Sequence, residues 1–126
     1  IPKDQPRGWF VEPTIFADVK NSDRIAREEI FGPVLAVIPY EDDAEAVTLA
    51  NDSDFGLGGT VWSTDTDRAT AVARAVETGT IGVNAYNLDI AAPFGGVKAS
   101  GLGRELGPEG LDAYLVTKSI YRTGQA

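Results

Sequence analysis

Adjacent carboxylates at Glu28 and Glu29, an aromatic ring at Phe31 and two glycine-rich stretches are the groups in this chain capable of binding or catalysis. Glycine comes first, because phosphate cradles are built from it. Gly56-Leu57-Gly58-Gly59 leads into a strand-like segment rather than a helix, so no helix N-terminus would face a phosphate there. Gly101-Leu102-Gly103-Arg104-Glu105-Leu106-Gly107 does not fit G-x-G-x-x-G, and it lacks the Lys-Ser/Thr of a Walker loop. On spacing alone both are turns. Glu28 and Glu29 fall near an expected helix C-terminus, a poor place for negative charge, which slightly favours a reason other than stability. The plainer alternative is two solvated carboxylates beside a Phe31 packed in the core.

The chain has no Cys, no His and no Met. Without Cys there is no disulfide, thiolate metal site or thiol nucleophile within these residues. Without His the commonest general base and metal ligand are gone, and no carboxylates are spaced to hold zinc, so no metal is expected. A translated chain starts with Met, and removal of that Met usually requires a small second residue, which Ile1 is not. Ile1 is therefore expected not to be a native N-terminus, and the chain to be part of a longer protein.

Hydrophobic residues make up 43% and charged residues 24% of the 126 positions, as in an ordinary globular domain or a piece of one. A net charge of -8 with no offsetting Lys/Arg cluster opposes nucleic acid and anionic membranes, and neither is expected as a partner. No apolar run approaches the roughly 18 residues of a spanning helix, and no signal-like segment opens the chain. The expected setting is cytoplasmic.

Gly8-Trp9-Phe10-Val11-Glu12-Pro13-Thr14-Ile15-Phe16 is aromatic and extended, broken by Pro13 into two short strand-like pieces. Ser22 is the expected N-cap of a short helix over 23–28, stopped by Phe31-Gly32-Pro33. Val34-Leu35-Ala36-Val37-Ile38 is the continuous apolar run of a strand buried on both faces. Asp42 with Glu45 resembles a capping box for a helix to about Asn51. Thr60-Val61-Trp62-Ser63 is a second strand. A helix capped by Thr64 or Asp65 follows, with Ala69, Val72, Ala73 and Val76 on one stripe and Gly79 at its stop. Thr80-Ile81-Gly82-Val83-Asn84 is a third strand. The fold class is thus α/β, a β-α-β-α-β run that predicts a three-layer parallel sheet. Beyond Asn84, residues 91–110 hold six Gly and two Pro and read as loop. A short helix from Pro108 or Glu109, burying Leu111, Tyr114 and Leu115, and a last strand over 116–122 complete the reading. Two helices cover about one face of such a sheet, so cover from outside these residues is expected.

The order of the motifs narrows this further. Glu28-Glu29-Ile30-Phe31-Gly32-Pro33-Val34 resembles the EEIFGPV segment of the NAD(P)-dependent aldehyde dehydrogenase superfamily. Asn51-Asp52-Ser53-Asp54-Phe55-Gly56-Leu57 is similar to its AN-x-x-x-(Y/F)-GL segment, and Gly79-Thr80-Ile81-Gly82-Val83-Asn84 to its G-T-(V/I)-x-(V/I)-N strand. Pro93-Phe94-Gly95-Gly96-Val97-Lys98-Ala99-Ser100-Gly101-Leu102-Gly103-Arg104-Glu105 resembles PFGGxKxSGxGRE, and Gly8-Trp9-Phe10-Val11-Glu12-Pro13-Thr14 the G-(Y/F/W)-(F/Y)-x-x-PT lead-in. Five motifs in order cover nearly the whole chain. The resemblance is to the C-terminal part of the catalytic domain, residues 1–115, followed by an oligomerisation strand and tail over 116–126. The PFGG segment favours the hydrolytic branch over the semialdehyde and acylating relatives.

That resemblance implies an oxidoreductase that turns an aldehyde into a carboxylic acid with NAD or NADP. A cysteine thiolate forms a thiohemiacetal, hydride leaves for the cofactor, and the resulting thioester is hydrolysed. No catalytic residue is expected in this chain: the nucleophile, the base and the oxyanion Asn would lie upstream, leaving the chain inactive alone. By the same resemblance Glu29 holds the hydroxyls of the nicotinamide ribose and Phe31 restricts the nicotinamide ring, while Glu28 stays structural. Phe94, with Leu88 and Ile90 in the loop 86–94, walls the aldehyde tunnel; as a plainer alternative Phe94 anchors a glycine turn. Leu88 or Ile90 would suit an uncharged aldehyde, and Asp89, facing in, a cationic one. Lys98, Arg104 and Glu105 are expected to scaffold the loop, and Gly95, Gly96, Gly101 and Gly103 to supply positive φ and close approach. The strand over 116–122 would join a homo-oligomer, a dimer or tetramer, by strand addition. The alternative is a non-catalytic binding or assembly module derived from such an enzyme, on which Glu29, Phe31 and the PFGG segment would be idle.

Overall fold

The computed structural model describes residues 3–5 and 7–124. Ile1, which carries part of the expectation of a longer chain, and the end of the tail at Gln125 and Ala126 lie outside them. The chain divides into two compact units, residues 1–53 and 54–126.

In the first unit β1 (Thr14–Phe16) and β2 (Val34–Ala36) pair in parallel, with Thr14 opposite Val34 and Phe16 opposite Ala36. Between them lies α1 (Arg24–Arg27). The expected cap at Ser22 is not used. Asp23 is the N-cap residue, and its carboxylate accepts from the backbone N–H of Lys20 at 2.9 Å instead of capping the helix. The helix is correspondingly a single turn. Glu28 closes it, and its carboxylate takes the Arg24 guanidinium at 2.8 Å one turn back, in solvent. That pair raises the Arg24 pKa and gives Glu28 the structural role expected of it.

The local signals of α2 (Asp43–Asn51) act as read. Asp42 Oδ1 accepts from the Glu45 N–H at 2.8 Å, while the Glu45 carboxylate reaches back to the Glu41 N–H at 2.6 Å. Its C-terminus is tied down by Asn21 Nδ2 and by Arg27, both of which donate to Asp52.

In the second unit β4 (Gly58–Val61) and β5 (Thr80–Val83) pair in parallel across α3 (Thr66–Ala75). Asp65 is the cap, accepting from the Arg68 N–H at 2.9 Å. Ala69 and Ala73, one turn apart, turn the predicted stripe inward, with Ala69 only 1% exposed. A second pair, β3 (Phe55–Gly56) with β6 (Val97–Lys98), is antiparallel and was not foreseen, since two-residue strands carry no period. The last helix, α4 (Gly107–Asp112), starts one residue before Pro108.

Two expectations are corrected. The three-strand parallel sheet does not form among the described residues: β2 spends its ladder on β1, so the β-α-β-α-β run becomes two separate parallel β-α-β pairs. The apolar face of α4 and the turn after it is not buried, because no element among the described residues covers it; Tyr114 is 84% exposed, and Leu111 and Leu115 are also open. Residues 116–122 lie in no ladder with the other described residues; the pairing expected of them is with a second copy. No helix of the described residues is long and apolar enough to cross a membrane.

Candidate active-site surfaces

Glu29 and Phe31 follow α1 on the way into β2. Glu29 is exposed, and its carboxylate meets no donor among the described residues. Phe31 adopts a left-handed backbone with φ of 55°, a conformation that costs an L-residue with a bulky side chain about 1–2 kcal/mol. Its ring is 89% exposed, so the alternative of a packed core aromatic is excluded in this chain. A strained backbone that delivers an apolar ring to the open is unfavourable for this unit by itself.

The second surface is built by the end of β5 and the loop after it. Asn84 turns the chain at φ 55°, a position Asn tolerates better than most residues. Its amide grips the backbone of Ser63 twice: Oδ1 accepts from Ser63 N–H and Nδ2 donates to Ser63 O, both at 2.8 Å. The side chain thereby extends the β4–β5 ladder by one artificial rung, a role invisible in the strand pattern. We expect Asn84→Ala to destabilise this unit by about 2–3 kcal/mol, from two lost bonds and a strained alanine. Asn84→Gly, which keeps the turn, should lose about 1 kcal/mol less. Urea midpoints of the two variants check the order.

Beyond Asn84 the chain folds back on β5. A Cβ on Gly82 would overlap Ala85 O, so this return is possible only over glycine. Phe94 is fixed from both sides by its backbone, exchanging two 2.7 Å bonds with Glu105. Arg104 donates to Gly96 O at 2.8 Å and Lys98 reaches Glu77 at 2.8 Å, so both charges scaffold the glycine loop as expected. The four glycines divide the labour. Gly101 and Gly103 take the positive φ values, 124° and 83°, while Gly95 and Gly96 are close-approach positions.

Leu88 and Phe94 meet across an apolar hollow of about 630 Å³, whose remaining walls are Leu57, Gly58, Gly59, Thr60 and Tyr86. A smaller hollow of about 350 Å³ lies behind the loop and holds Asn87 and Asp89. Ile90 lines neither hollow and is 78% exposed. Asp89 uses its carboxylate locally, accepting from the Ala91 N–H at 2.9 Å.

Residues 2–120 match the model of the aldehyde dehydrogenase family. The chain belongs to that family. It is 66% identical over 120 residues to geranial dehydrogenase of Castellaniella defragrans, covering 95% of this chain and 25% of that protein. Betaine aldehyde dehydrogenase of Cereibacter sphaeroides is 49% identical over 90% of the chain and 24% of its own length. Among solved structures, the aldehyde dehydrogenase of Mycobacterium tuberculosis in complex with NAD+ superposes with a TM-score of 0.87 at 50% identity, over 90% of this chain and 24% of that one. A mutant of aldehyde dehydrogenase C from Pseudomonas syringae, complexed with NAD+ and octanal, gives 0.86 at 48% identity, covering 90% of this chain and 23% of its own. The chain thus spans about a quarter of the length of the relatives it matches. The α/β character of the two β-α-β pairs is that of this family.

Proposed function

We propose that this aldehyde dehydrogenase chain supplies part of the cofactor surface and part of the aldehyde passage of an enzyme that oxidises an aldehyde to the acid with NAD or NADP. The observation that carries the reading is the pairing of family membership with an open, strained Phe31 next to an unengaged Glu29. Glu29 would accept hydrogen bonds from the nicotinamide ribose hydroxyls, and Phe31 would limit where the ring can sit. The cofactor, when bound, supplies the hydride acceptor. Phe94 and Leu88 would wall the passage through which the aldehyde enters, with Ile90 nearer its rim. Residues 116–122 would add as a strand to a second copy in a dimer or tetramer, which would cover Val116, Ile120 and Tyr121, all exposed here.

With no Cys, this chain holds no thiol nucleophile. We expect the 126-residue chain alone to give no NAD(P)H from any aldehyde, and the whole polypeptide that carries it to do so. Absorbance of the reduced cofactor at a range of pH values reads this directly. Turnover by the isolated chain, or none by the whole polypeptide with any aldehyde, overturns the proposal.

A further inference from the structure

The loop that walls the apolar hollow is fastened by a chain of hydroxyls. Thr80 Oγ1 lies 3.0 Å from Leu57 O and 2.7 Å from the Tyr86 hydroxyl. A threonine hydroxyl has one proton. With that proton on the Leu57 carbonyl, Tyr86 must donate its own to Thr80, and the phenol has no proton left for a ligand. The latch passes over Gly58, where a Cβ would come within 2.8 Å of the Tyr86 hydroxyl and 3.1 Å of Thr80 Oγ1. Only a bare Cα leaves room for it.

Tyr86 and Leu88 are the two residues that line both hollows. On one side stand Leu57, Thr60 and Phe94 with no charged residue; on the other are Asn87 and Asp89. We infer that Tyr86 is a specificity-determining partition. Its hydroxyl, spent on Thr80, holds the ring as a wall between a hollow with no charged lining residue and one that holds Asp89, so that the passage takes an uncharged hydrocarbon aldehyde and screens it from that carboxylate. The inference rests on the hollow being the aldehyde passage, as proposed above. Among the described residues the apolar hollow offers two aromatic rings, Tyr86 and Phe94, to a quaternary ammonium, and the carboxylate that lines the neighbouring hollow is that of Asp89.

The test is steady-state kinetics of the whole polypeptide with octanal and with trimethylammonioacetaldehyde, on wild type, Tyr86→Phe, Thr80→Val, their double variant and Tyr86→Ala. Wild type should favour octanal. Tyr86→Phe and Thr80→Val should each raise the KM for octanal by about threefold to tenfold with kcat nearly kept, the loss of one net hydrogen bond. The double variant should be no worse than either single, because both remove the same latch. Tyr86→Ala joins the two hollows and should cut the octanal preference by at least about tenfold, a change that a merely structural role would not direct at one substrate. Additive single effects, or an unchanged preference in Tyr86→Ala at wild-type kcat, overturn the inference. If Tyr86→Ala does not fold, the double-variant comparison decides. Absence of any aldehyde turnover by wild type refutes the underlying reading rather than this one.

Discussion

Gly79→Ala is expected to destabilise the second unit by about 3 kcal/mol or more, the range reserved for core clashes. A Cβ at this position would overlap the carbonyl of Gly95 outright and press on Gly96 Cα at 3.0 Å. Neither neighbour can retreat cheaply. Gly96 O is held by Arg104 at 2.8 Å, and Phe94, next to Gly95, is locked to Glu105 by two backbone bonds. Gly79 itself is tied through its N–H to Gly56 O at 3.0 Å. The clash is therefore backbone against backbone, with no flexible side chain to absorb it. Gly101→Ala makes the informative comparison: open space surrounds it, and only its φ of 124° resists a side chain, so it should cost about 1–2 kcal/mol. Urea denaturation of the two variants measures the difference. Equal losses would mean that backbone conformation, not close approach, explains both glycines.

Glu29→Gln in the whole polypeptide should raise the KM for NAD(P)+ by about tenfold to a hundredfold, since a charge-assisted bond contributes roughly 1.5–3 kcal/mol. Stability should hardly change, because the carboxylate is exposed and unengaged in this structure. Phe31→Ala should behave alike, weakening cofactor binding while leaving the melting temperature within about a degree or two, as expected of a residue that is 89% exposed. Glu28→Gln is the control: the Glu28 carboxylate is occupied by Arg24 in a surface pair of small energetic weight. A matching rise in KM for Glu28→Gln would show that loss of negative charge near the cofactor, and not the ribose contact, is what was measured.

The family and the positions of most elements were legible because their signals are local. Asp42 with Glu45, and Asp65 with Arg68, are contacts three residues apart, and the Ala69–Ala73 stripe repeats within one helix. Such contacts depend on the nearest turn of chain and hardly on the rest of the fold. The five motifs likewise lie along the sequence in order. Which loop residues share a hollow was not legible: Leu88 and Phe94 line one together and Ile90 does not, because side-chain direction in a loop without period cannot be counted off.

Read without a structure, the residues specify the class and the caps of the two longer helices, α2 and α3. Tertiary structure alone decided which strand β2 chose, since a continuous apolar run fits any parallel neighbour and its ladder went to Thr14–Phe16. It also decided the reasons behind single residues. Gly79, which reads as a helix stop, is required by Gly95 sixteen residues on, and α3 ends earlier at Ala75. Asn84, which reads as a strand end, holds Ser63. Tyr86, unremarkable in a variable loop, closes a latch through Thr80 to Leu57. Each is a contact between segments far apart in the chain, and steric exclusion across such distances leaves no periodic trace to read.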